Sequence, residues 1–104
     1  MTYFFAVFAS DRPGMQAVRA RVRRAHRDYL RAPGEHRVTV RLGGPLMADD
    51  GRTMNGTLLV VEADSAAEVE RFVADDPYTV NGVFAHIEIR HWAWGLGNPD
   101  ARSR

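Results

Sequence analysis

Two residues of this 104-residue chain combine an inward position with acid–base chemistry, His26 and Asp76. His26 follows Val22 by four residues and precedes Tyr29 by three in a segment of helical periodicity, so it points with the apolar residues toward the interior. Asp76 continues the stripe Val69, Phe72, Val73 at helical spacing, which places a carboxylate at the inner C-terminal corner of a second helix. There it meets the unfavourable end of the helix dipole and partial desolvation, and it needs a cation or a donor. His26 is the inward group that can supply one. A carboxylate beside an imidazole fixes the tautomer and stabilises the imidazolium, so the pair suits general acid–base catalysis, worth about 10²- to 10⁴-fold in rate. No side-chain nucleophile is required when the substrate's own C–H or O–H gives up the proton. Two structural alternatives stand beside this reading. His26 can be a core histidine bonded to a backbone carbonyl, and Asp76 can hold a local turn by accepting N–H groups of the segment Pro77-Tyr78-Thr79.

Composition narrows the chemistry further. The chain has no cysteine, which excludes disulfides, thiolate metal sites and cysteine nucleophiles. All fourteen basic residues are arginine, so Schiff-base and P-loop-lysine chemistry are excluded too. His36, His86 and His91 show no metal-ligand spacing, and no metal is expected. With 45% hydrophobic and 26% charged residues, the length suits one compact domain, assigned to residues 1–95, followed by a flexible polar tail at 96–104. Up to residue 50 the chain carries nine arginines against five acids, and beyond it five against eight. The opening apolar run Tyr3 to Ala9 is too short for a secretory signal or a membrane span, and a soluble cytoplasmic protein is expected.

The elements that must position the pair follow from hydrophobic period. Tyr3 to Ala9 is apolar on both faces and is expected to be a buried strand, closed by Ser10-Asp11-Arg12-Pro13-Gly14. From Met15 the period becomes helical. Met15, Val18, Val22, Ala25, Tyr29 and Leu30 share one arc, whereas Arg21, Arg24, Arg27, Asp28 and Arg31 fall outside it as a solvated face, and Pro33-Gly34 stops the helix. Arg37 to Leu42 alternates as a half-exposed edge strand with Val38, Val40 and Leu42 inward. Gly43-Gly44-Pro45 is expected to end it, before a long hairpin loop at 48–55. Thr57 to Val61 is a second strand apolar on both faces. Ser65-Ala66-Ala67-Glu68 has capping-box spacing and opens a short helix that must end near Asp76, because Pro77 disfavours α conformation before it. A final edge strand spans Val83 to Trp94.

The order strand, helix, strand, strand, helix, strand is the α+β, ferredoxin-like βαββαβ plan with a four-stranded antiparallel sheet. Its first and third strands are central and its second and fourth are edges, the division given independently by the apolar patterns. Both helices cover one face, yet Phe4, Ala6 and Phe8 make the other face apolar as well. A homodimer packed through the open sheet faces, a dimeric α/β barrel, would cover it. Trp92 and Trp94 share a face of the last strand and fit that interface.

Among weaker candidates, Arg19 and Arg23 flank His26 and could bind a carboxylate or phenolate through the guanidinium fork. Arg19 is expected on the solvated rim and Arg23 in the site. Tyr78 and Phe8 could stack on an aromatic ring or simply pack in the core.

Arg23-Arg24-Ala25-His26-Arg27-Asp28-Tyr29-Leu30, Gly43-Gly44-Pro45-Leu46, Ala74-Asp75-Asp76-Pro77-Tyr78 and Gly82-Val83-Phe84, in this order, resemble the YCII (YciI-like) family. The family pattern is an Arg-Pro-x-His helix, a Gly-Pro loop and an Asp-Pro-aromatic turn, and the likeness spans residues 3–94. The resemblance implies a dimeric α/β barrel with a His–Asp dyad, here His26 and Asp76, in a pocket beside the sheet. It also implies that Arg23 and the Gly44-Pro45 loop line that pocket, and that active members are cofactor-free enzymes of small hydroxylated aromatic compounds, including chloride eliminators. The family's proline before Ala-His is Arg24 here.

The function expected from these residues is a small cofactor-independent lyase, dehydrohalogenase or isomerase acting on a hydroxylated aromatic or polyketide-like compound. His26 is the general base, Asp76 orients it, and Arg23 with backbone N–H groups near Gly44 holds a developing oxyanion. Two other readings share the fold, a non-catalytic small-molecule-binding or accessory protein and a cofactor-free dimeric-barrel monooxygenase. RNA binding is disfavoured, since Thr57 to Val61 offers no aromatic on which a base could stack.

Overall fold

A computed structural model describes residues 2–99. The elements are β1 (Tyr3–Asp11), α1 (Gln16–Arg31), β2 (Val38–Met47), β3 (Met54–Ala63), α2 (Ala66–Ala74), α3 (Pro77–Val80) and β4 (Phe84–Trp92). They form the expected α+β ferredoxin-like fold. The sheet order is β2-β3-β1-β4 with every neighbouring pair antiparallel, so the two strands apolar on both faces are central and the two alternating strands are edges. Phe5, Val7, Leu59, Val61 and Ala63 pack beneath Val69, Phe72 and Val73 of α2, with Tyr29 and Leu30 of α1 alongside. A second cluster of Val22, Tyr78 and Val83, joined by Met15, Val18 and Phe84, ties α1 to α3. No helix among the described residues is long and apolar enough to cross a membrane.

Several boundaries differ from expectation. Gly43-Gly44-Pro45 does not end β2 but lies within it, and β3 starts at Met54, so the hairpin loop shrinks to residues 48–53. Pro45 is tolerated because β2 is an edge strand, where a missing N–H leaves no central ladder bond unmade. Gly43 pairs with Leu59, and a Cβ there would lie 2.5 Å from Leu59 Cδ2, so the missing side chain is what lets the two strands close over that leucine. The pairing of β2 shifts register between Val40 and Leu42. One extra residue changes which face the following side chains take, and Leu42, expected inward, is 44% exposed.

The second helix ends at Ala74, and Asp76 instead caps a separate four-residue helix, α3. Ser65 accepts the Glu68 N–H as expected, whereas Glu68 turns away to pair with Arg71 at 2.8 Å. The last strand is shorter than expected, leaving Trp94 beyond its end. Of the expected tail, residues 96–99 form no helix or strand, and residues 100–104 lie outside the described residues.

The face of the sheet opposite the helices carries Phe4, Ala6, Phe8 and Trp92, with Trp94 packed edge-on to Phe4 at 6.0 Å and to Trp92 at 4.7 Å.

Candidate active site

His26 projects from the middle of α1 and is 6% exposed. Its Nδ1 lies 2.8 Å from Asp76 Oδ1 and 3.0 Å from Oδ2. An ionised carboxylate can only accept, so Nδ1 carries the proton and Nε2 is left as the basic nitrogen. Asp76, 2% exposed, is held in turn by the Tyr78 N–H, which donates to Oδ1 at 2.9 Å. The Asp76 carboxylate therefore makes both contacts at once, to the turn and to the imidazole. It caps the turn and it orients the imidazole, and its position at an N-cap rather than a helix C-terminus replaces the expected dipole penalty with a favourable one.

Tyr78 fixes the other degree of freedom of the imidazole. Its ring stacks on His26 with centroids 3.9 Å apart and planes inclined by 14°. Burial raises the Tyr78 phenol above its ordinary pKa, an effect partly opposed by the Arg19 and Arg23 guanidinium groups. The phenol is therefore neutral at pH 7 and can donate.

Arg19 reverses the expectation of a solvated rim. It is 4% exposed, and its Nε and Nη2 donate to the two carboxylate oxygens of Asp11 at 2.8 and 3.0 Å. Nη2 also donates to the Gly56 carbonyl at 2.8 Å and to Thr57 Oγ1 at 2.9 Å, and the guanidinium lies 4.5 Å from the Tyr78 ring centroid. The physical reason is Asp11. β1 shifts register against β4 between Ser10 and Asp11, and the Asp11 side chain ends almost wholly buried, where it demands a cation. A sequence signal did exist, since Thr57 shares the inward face of its strand with Leu59 and Val61, and an inward hydroxyl needs a partner.

These groups meet at a cavity of about 580 Å³ between α1 and the β2–β3 half of the sheet. His26, Arg23, Gly44, Pro45 and Tyr78 all lie on its wall. Phe8 does not. Its neighbours Val7 and Ala9 point into the core, so Phe8 faces the opposite side of the sheet, 45% exposed. Arg27 and Arg31, expected on the solvated face, also line the cavity, so four of the six arginines between residues 19 and 31 border it. Among the described residues no group of three or more His, Asp or Glu side chains is placed to hold a metal ion.

Fold and site together define a class: α+β sheet proteins of ferredoxin-like topology with a buried histidine–carboxylate pair opening on a cavity between the first helix and the sheet. Within it, the chain belongs to the YCII-related domain family, whose model matches residues 3–93. A 5-chloro-2-hydroxyhydroquinone dehydrochlorinase from Burkholderia phenoliruptrix, solved in complex with 2,5-dihydroxybenzoquinone, is 35% identical and superposes with a TM-score of 0.74 over 88% of this chain and 95% of that one. A NIPSNAP domain protein from Burkholderia xenovorans (17% identity, TM-score 0.53, 96% of this chain and 100% of that one) shares the fold. So does the C-terminal domain of MgtC from Mycobacterium tuberculosis (20% identity, TM-score 0.52, 92% of this chain and 94% of that one). No curated protein matches the chain significantly.

Proposed function

We propose that this protein is a cofactor-independent enzyme of the lyase type that eliminates a leaving group from a small hydroxylated aromatic compound. The observation that carries the reading is the Asp76 carboxylate on His26 Nδ1, which commits Nε2 to the cavity side as a base. The 35% identical dehydrochlorinase supports the reaction class. On 5-chloro-2-hydroxyhydroquinone, Nε2 takes a hydroxyl proton and returns a proton to the chlorine-bearing carbon. Chloride then leaves with the C–Cl electron pair as a second hydroxyl proton is lost. The products are a hydroxyquinone, H⁺ and Cl⁻, and no external oxidant or reductant is consumed. Arg23 on the cavity wall supplies positive charge to the phenolate, and Gly44 and Pro45 bound the ring on the β2 side.

Purified protein with no added cofactor should release one chloride per quinone formed from this compound and consume no oxygen. Oxygen uptake in step with turnover would place it with the monooxygenases instead. A binding or accessory role is favoured by one observation, that Asp76 already has structural work as the cap of α3. Absence of turnover on chlorinated and unchlorinated hydroxyquinols, with retained binding, supports that role.

We also propose that two copies pack through the open sheet face. Phe4, Phe8 and Trp92 present an aromatic surface there, of the kind that subunit interfaces bury. Sedimentation should give a dimer of the wild type, and Phe8→Glu should shift it to monomer. A monomeric wild type at high micromolar concentration rejects this arrangement.

A further inference from the structure

Arg19, Arg23, Arg27 and Arg31 follow one another at four-residue intervals along α1, and all four line the cavity. Like charges at this spacing repel. Among the described residues only Arg19 is neutralised, by Asp11. Arg23, Arg27 and Arg31 make no ion pair among the described residues, and the cavity wall contains no aspartate or glutamate. The nearest acid on the helix, Asp28, is outside that wall.

The cavity is also longer than one ring. From Arg19 to Arg31 the helix rises about 18 Å, and the opposing stretch Val38 to Pro45 of β2 runs antiparallel to it for about 23 Å. A hydroxylated ring of about ten heavy atoms displaces on the order of 300 Å³ even at the volume of liquid water per atom. That is roughly half of the 580 Å³ available. The half beyond His26 has an apolar lining of Leu30, Pro33, Val38 and Val40, with Arg27 and Arg31 beside it.

We propose that this half is a second subsite, and that the natural substrate is a hydroxylated ring bearing an apolar arm that ends in an acidic group, held by Arg27 and Arg31. This rests on the reading above only in placing the ring beside His26. Arg31 is five residues beyond His26, about 7.5 Å along the axis, and its long side chain adds reach, so an arm of four or five carbons spans the interval. The arm supplies the apolar surface that Leu30, Val38 and Val40 cover, and its carboxylate supplies the counterion that the arginine ladder lacks.

The test is anaerobic titration calorimetry with three probes: 5-(2,5-dihydroxyphenyl)pentanoic acid, its methyl ester, and hydroquinone. The wild type should bind the acid at least about tenfold more tightly than the ester. Arg27→Gln/Arg31→Gln should bring that ratio close to one while leaving hydroquinone binding unchanged. Arg21→Gln/Arg24→Gln removes the same net charge from the same helix outside the cavity, and it should keep the ratio. Equal binding of acid and ester by the wild type overturns the proposal. So does a preference that survives Arg27→Gln/Arg31→Gln, and so does one lost equally in Arg21→Gln/Arg24→Gln, which would mark a diffuse field effect. Because binding alone is read, failure of the catalytic reading appears separately, as absent chloride release with the acid preference intact.

Discussion

His26→Ala is expected to lower kcat for chloride release by about 10²- to 10⁴-fold, the range general acid–base catalysis supplies, with a much smaller change in KM. Among the described residues, the imidazole is the sole basic nitrogen on the cavity wall that is both buried and oriented, pinned at Nδ1 by Asp76 and across its plane by Tyr78. Because the guanidinium groups around it stay protonated, no neighbour can take over proton transfer. The variant also leaves the Asp76 carboxylate buried with the Tyr78 N–H as its remaining partner, at a cost of about 1–3 kcal/mol in stability. His26→Gln keeps a hydrogen-bond donor in reach of Asp76 and should recover part of that stability without recovering rate. The comparison, read by steady-state kinetics and thermal melting, separates chemistry from folding. Turnover of both variants within about threefold of wild type removes His26 from the mechanism.

Arg19→Gln is expected to destabilise the fold by about 3–5 kcal/mol, the usual cost of removing one partner of a buried ion pair. The loss is large because three partners depend on one guanidinium: the Asp11 carboxylate, the Gly56 carbonyl and the Thr57 hydroxyl. Asp11 is the most costly of these, since its side chain is almost wholly buried and is left charged. Against a total stability of about 5–15 kcal/mol for a domain of this kind, the change is easily measured. Urea unfolding should show a lower midpoint with an unchanged slope. Arg19→Lys should recover little, because an ammonium cannot bridge both Asp11 oxygens and reach β3 at once. A loss below about 1 kcal/mol for Arg19→Gln would mean that the network is not structural.

The fold was legible because apolar residues on both faces mark Tyr3–Ala9 and Thr57–Val61 as central strands, and alternation marks the other two as edges. The inward position of His26 was legible for a similar reason, from helical spacing, whereas Asp76 reaches the imidazole from the N-cap of α3 and not as the continuation of the α2 stripe. Alternation also held the correct answer for Phe8, which shares its parity with Phe4 and Ala6 and so belongs to the open face. Other features depend on single-residue register. The shift after Val40 carries no compositional mark, so the exposure of Leu42 and the run of β2 through Pro45 were hidden. The burial of Arg19 likewise depends on where the end of β1 delivers Asp11, a tertiary fact. Helical periodicity leaves Arg27 and Arg31 on the exposed face, where they lie, but it is silent about the cavity at the edge of that face, which both also border.

Asp76→Asn separates a catalytic role of Asp76, exerted through His26, from its role in holding the turn. Asparagine caps a helix about as well as aspartate and can still accept from both the Tyr78 N–H and His26 Nδ1. Thermal stability should therefore stay within about 1 kcal/mol of wild type. The neutral amide neither stabilises an imidazolium nor secures the tautomer, so kcat for chloride release should fall by about 10²-fold or more. A stable Asp76→Asn protein that turns over within about threefold of wild type would leave Asp76 a turn residue alone, with no part in catalysis.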